Sequence, residues 1–162
     1  MPSNPSAVEL SLSETFLSIA APLLDLIPFG KAMPALRDSI SHPKEVTKAA
    51  EQIAATCDAS LQAAVFLYVD DIARAHEAAQ ADETPEGAYW HGIVHRREGD
   101  FSNAKYWFRR AGTLPSRLNL SPIALTDEVA HLQSSENPVN LVDAQRQEWM
   151  ALFEHCAQKL LR

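Results

Sequence analysis

An all-α fold is what this sequence predicts: one compact antiparallel array of helices around a helical hairpin in mid-chain. Three observations carry that prediction. Apolar residues recur at three- and four-residue steps through most of the chain, the interval of one helix face. Helix start and stop residues punctuate the pattern, Thr84-Pro85, Gly99-Asp100, Gly112 and Pro115 among them. No stretch has the two-residue alternation of a strand.

Taken in order, residues 1–11 are rich in Ser, Pro and Asn and are expected to fray. Ser11 and Glu14 have the spacing of a capping box for a first helix, whose apolar face is Phe16, Leu17, Ala20, Leu23, Leu24 and Ile27, with a kink expected at Pro22. A short helical piece is expected at 34–40. Ser41-His42-Pro43 then announces a helix with Val46, Ala50, Ile53 and Cys57 inside. Asp58 caps a long helix over 59–81, with Leu61, Val65, Tyr68, Ile72, Ala75 and Ala79 in its stripe and His76 on the same side.

The short polar link at 80–84 brings the chain back antiparallel, which puts His76 near the central hairpin. Thr84 caps the hairpin's first helix, Pro85 suits the first helical position and Gly99 ends the helix. Asp100 caps the second, where Phe101, Ala104, Phe108 and Ala111 share a face, and Gly112 closes it. Ser121-Pro122 opens a helix that uses Ile123, Val129 and Leu132. Asn137-Pro138 opens the last one, whose inner residues are Val142, Trp149, Leu152, Phe153, Cys156 and Leu160.

Gly92, the Ala104 and Phe108 pair and Pro115 fall on the pattern W-x2-L-G-x2-Y, A-x3-F, P, so the hairpin resembles a tetratricopeptide repeat. Gly99-Asp100-Phe101 resembles the usual turn between the two helices of such a repeat. Ala88 stands in the tryptophan slot, and His91 and His95 in the leucine and tyrosine slots. The match covers about one repeat of roughly 34 residues, with no second copy. The longer string also resembles a group of bacterial proteins of this helical type, which implies a fold and no reaction. The resemblance implies an interaction module that holds a protein or peptide in a groove beside the hairpin.

With 162 residues and 46% hydrophobic content the chain suits a single domain with a substantial core. A net charge of −7 argues against general affinity for nucleic acid or an anionic membrane. The apolar run from Phe16 to Phe29 is broken by Pro22, Asp25 and Pro28, too short to span a bilayer. Glu9 and Glu14 stand where a secretory signal needs positive charge. Cys57 and Cys156 match no zinc or redox spacing, and a reduced, cytoplasmic chain is expected.

Two sets of side chains are candidates for chemistry. Arg96, Arg97, Lys105, Arg109, Arg110 and Arg117 gather positive charge on an acidic protein, a patch suited to a carboxylate, a phosphate or an acidic partner, with Tyr89 beside it. The alternative for these residues is a solvated helix surface. His91, His95 and Glu98 lie on one helix face, and His76 from the preceding helix adds a third imidazole. Such a set suits zinc or another divalent ion. Against it stands a purely interior role, with both hairpin histidines hydrogen-bonded in the core.

No cofactor is called for by the first reading. The zincin motif is absent because Gly92 follows His91, and no phosphate loop or nucleophile elbow is present, so no reaction is assigned. Asp70 and Asp71 are expected on the solvated surface. A homodimer through an exposed apolar face is a further expectation.

Overall fold

The computed structural model describes residues 14–38 and 40–160, and over them the chain is helical with no strand. In order come α1 (Glu14–Leu26), a 3-10 turn (Phe29–Lys31), α2 (Lys44–Ala54), α3 (Ala59–Tyr68), α4 (Ile72–Gln80), α5 (Pro85–Glu98), α6 (Phe101–Arg110), the single turn α7 (Leu114–Arg117), α8 (Pro122–Ala130) and α9 (Val139–Lys159). Ser11 and the fraying expected over 1–11 lie outside the described residues. No described helix is long and apolar enough to cross a membrane.

Each helix from α1 to α5 packs on the next, and α9 folds back over α1 and α3. The contact between α9 and α3 is aromatic and specific. Trp149 stacks on Phe153 at 4.7 Å, meets Tyr68 at 4.9 Å, and donates its indole N–H to the Ala64 carbonyl. The Tyr68 hydroxyl in turn donates to the Ile27 carbonyl at the end of α1. Leu160, expected in the inner stripe of α9, is exposed at the end of the helix.

α5 runs through the middle of the array. Twelve of its fourteen residues are buried, from Glu86 to Arg97, so neighbours cover all its faces. Its ends are set locally. Thr84 accepts the Gly87 amide at the N-terminus, and Gly99, at a φ of 81°, takes the left-handed conformation that ends the helix.

Two expectations from the sequence are corrected. The stretch at 59–81 is two helices, because Asp70 turns the backbone into the left-handed region, with φ 61°, and Asp71 caps α4 by accepting the Arg74 amide. Among the described residues of 34–40 no helix forms either, and Asp38 within the segment and Met33 just before it have positive φ. Instead the segment is held from outside. Gln145 donates to the Met33 and Ala35 carbonyls, Arg146 to Ala32, and the Leu36 amide donates to Asn137.

Candidate functional site

Gly92 is the residue that lets the hairpin close. A Cβ there would stand 2.5 Å from Cδ1 and 2.9 Å from Cζ of Phe108, inside van der Waals contact. With only hydrogen at that position, the buried Phe108 ring settles against α5, and the α6 backbone is drawn in with it. Trp107, next in sequence, then lies flat on His91, with centroids 3.9 Å apart and planes 16° from parallel.

His91 and His95 are one helical turn apart and stack on each other at 4.8 Å. The α4 that starts after the break at Asp70 packs on α5, so His76 meets both rings, at 4.8 Å from His91 and 5.0 Å from His95. One nitrogen from each of the three imidazoles lies within 4.8 Å of the others. Nε2 of His76 and Nε2 of His91 are 3.1 Å apart. Glu98 sets its two carboxylate oxygens 3.4 Å from Nδ1 of His76 and Nδ1 of His95. The three histidines and Glu98 therefore form one cluster.

Burial bears on the charge of His91 and His95. It lowers the pKa of His91 to about 4, with the neighbouring His95 and His76 adding to the effect. His95 is lowered chiefly by burial too, opposed by Glu98 and Asp100 and reinforced by His76. At neutral pH His91 is uncharged and keeps a lone pair on one ring nitrogen. The ε nitrogens of His76 and His91, 3.1 Å apart, share one hydrogen bond, one donating and the other accepting according to tautomer. Asn103, which nothing in the sequence singled out, brings its amide nitrogen to 3.4 Å from Nε2 of His95. Its place three residues after the Asp100 cap is the only sign that it faces α5.

The expected basic patch is rearranged. Arg96 and Arg97 are both fully buried. Arg96 forms a two-pronged pair with Glu148 of α9, at 2.6 and 3.2 Å, and the Tyr89 hydroxyl donates to the same carboxylate at 2.9 Å. Burial and that carboxylate hold the Tyr89 phenol's pKa well above its ordinary value. Arg97 meets Asp70 at 2.5 Å and donates to the Leu67 carbonyl. Asp70 also accepts from His42 at 2.8 Å.

Asp70 is thus an interior anchor, which corrects the expectation that it lies on the solvated surface. Tyr89, Arg96 and Arg97 are likewise interior struts of the fold. Lys105 pairs with Asp127, and Arg109, Arg110 and Arg117 remain exposed.

Beside the histidines opens a cleft of about 470 Å³, lined among others by Gln80, Asp82, Glu83, His91, Trp107 and Arg110. His91 belongs to both the cluster and the cleft. Comparison with protein-family models, with curated proteins and with solved structures gives no match to this chain.

Proposed function

We infer that this chain binds a divalent metal ion, zinc being the best fit, through His76, His91 and His95. The observation that carries the reading is the meeting of three imidazole nitrogens within 4.8 Å, contributed by two helices whose packing is already fixed. Ligands on one tetrahedral zinc, with bonds of about 2.0–2.1 Å, stand about 3.3 Å apart. The 3.1 Å between His76 and His91 is already near that value. The widest pair closes by about 1.5 Å, within reach of a side-chain rotation.

Neutral imidazole is the form that ligates, and burial already holds His91 in that form at neutral pH. Glu98, beside Nδ1 of His76 and of His95, suits the carboxylate that orients a ligating histidine from behind. Asn103 would exchange its long contact with His95 for a place at the rim.

The test is metal content and thermal stability of purified protein after exhaustive dialysis. One zinc per chain is expected, with manganese binding more weakly. Free zinc at about one hundred times its dissociation constant stabilises by about 2.7 kcal/mol, which raises Tm by roughly 5–10 °C for a chain of this size. His76→Gln and His91→Gln each abolish the shift. A melting temperature indifferent to zinc and manganese, in protein that retains neither, overturns the assignment.

A further inference from the structure

We propose that Arg110 and the metal position left open by the three histidines together bind a small carboxylate, one oxygen meeting the ion and the other the guanidinium. The inference rests on the metal reading above and extends it to the ligand.

Three histidines leave one position of a four-coordinate zinc for water or an exogenous ligand, the arrangement found in catalytic rather than structural zinc sites. Of the three histidines, His91 borders an open cleft. His91 forms part of the wall of the 470 Å³ cleft, and Trp107, stacked on His91, continues that wall to Arg110. The Arg110 guanidinium carbon lies 5.4 Å from the Trp107 ring centre, so ring and cation hold each other in place.

Arg110 differs from Arg96 and Arg97 in having no carboxylate partner among the described residues, and from the equally exposed Arg109 in lining the cleft. Arg96 is taken by Glu148 and Arg97 by Asp70. Arg110 is exposed, and its described hydrogen bond is a 3.3 Å contact to the Tyr106 hydroxyl. Among the described residues no carboxylate pairs with it. Its planar fork matches a carboxylate, and at the side of an open metal position it meets the second oxygen of the same group.

The rest of the cleft narrows the class. Asp82 and Glu83 lie on its lining, and Asp82 is already occupied by the Thr84 amide and hydroxyl and by Ser60. Two acidic groups on the lining repel a dianion more than a monoanion, which favours a monocarboxylate over phosphate. Gln80 offers a neutral amide for whatever polar group the carboxylate carries.

The experiment loads the full chain with cobalt(II), whose visible absorption reports the ligands of the ion, and titrates it with sodium acetate and separately with inorganic phosphate. Expected are a saturable change in the cobalt bands with acetate, a weaker response to phosphate, and about tenfold loss of acetate affinity in Arg110→Gln with cobalt affinity unchanged, the effect of losing one charge-assisted hydrogen bond. Cobalt bands that ignore acetate, or acetate affinity unchanged in Arg110→Gln, overturn the carboxylate site while the metal reading stands. Tighter binding of phosphate than of acetate overturns the choice of class. Failure of cobalt to bind, or its undiminished binding in His91→Gln, overturns the metal reading and the inference with it.

Discussion

Acidification makes the histidine cluster a measurable load on the fold. The His91 pKa is about 4 in the folded chain against an ordinary 6.5. Between those values the unfolded chain takes up a proton that the folded chain refuses. Stability from this group is therefore complete above about pH 6.5, falls as pH drops, and is gone below about pH 4. Over the whole window the gap corresponds to about 3 kcal/mol, and from pH 7 to pH 5 to about 2 kcal/mol.

His95 acts in the same direction, also depressed by burial, while Glu98 and Asp100 oppose it. Glu86 works in a separate window. Burial raises its pKa, but hydrogen bonds from His155 and Lys159 outweigh that and bring it to about 2, so its contribution is lost only as pH falls from about 4.5 towards 2. Urea unfolding in a chelating buffer at about pH 7 and pH 5 isolates the histidines. With a slope of about 2 kcal/mol per molar urea, the midpoint falls by about 1 M. In His91→Gln, which cannot take the charge, the fall is smaller by most of that amount. Equal midpoints at the two pH values, or an equal fall in both proteins, would refute the argument.

Two further substitutions probe the frame around the cluster. Gly92→Ala drives a methyl group into Phe108. The overpacking costs about 1–3 kcal/mol against about 1 kcal/mol gained in helix propensity, so calorimetry is expected to find a net loss of up to about 2 kcal/mol. A gain in stability would mean that α6 stands further off. Asp70→Asn keeps a residue tolerant of the left-handed backbone but leaves the Arg97 guanidinium buried without its counter-charge. It is expected to cost about 3–5 kcal/mol by denaturant titration, and Arg97→Met in the same chain to recover part of it. A loss under about 1 kcal/mol would mean that Arg97 reaches water.

Features with local causes are legible in this sequence, and those that depend on distant partners are not. The caps at Thr84 and Asp100 and the stop at Gly99 were legible because each depends on residues within four positions of itself. The Asp71 cap carries the same kind of signal, but the apolar stripe of 59–81 runs smoothly through the break and masks it. The fate of Arg96 and Arg97 was half legible. Arg97 shares its side of the helix with Trp90, Ile93 and Val94, which implies burial, yet its partner Asp70 lies 27 residues back and the Arg96 partner Glu148 lies 52 ahead.

The sequence by itself determined that the chain is helical, where most of its helices begin and end, and that His91, His95 and Glu98 share a face, since all of this follows from the 3.6-residue period and from local hydrogen bonds. Only the tertiary structure decided that His76 completes the triangle, that two arginines are interior struts, and that Arg110 alone of the hairpin's grouped cations opens onto the cleft beside the histidines. Those outcomes depend on which helix lies against which. That is settled by burial of apolar surface over the whole molecule, a quantity no short stretch of chain contains.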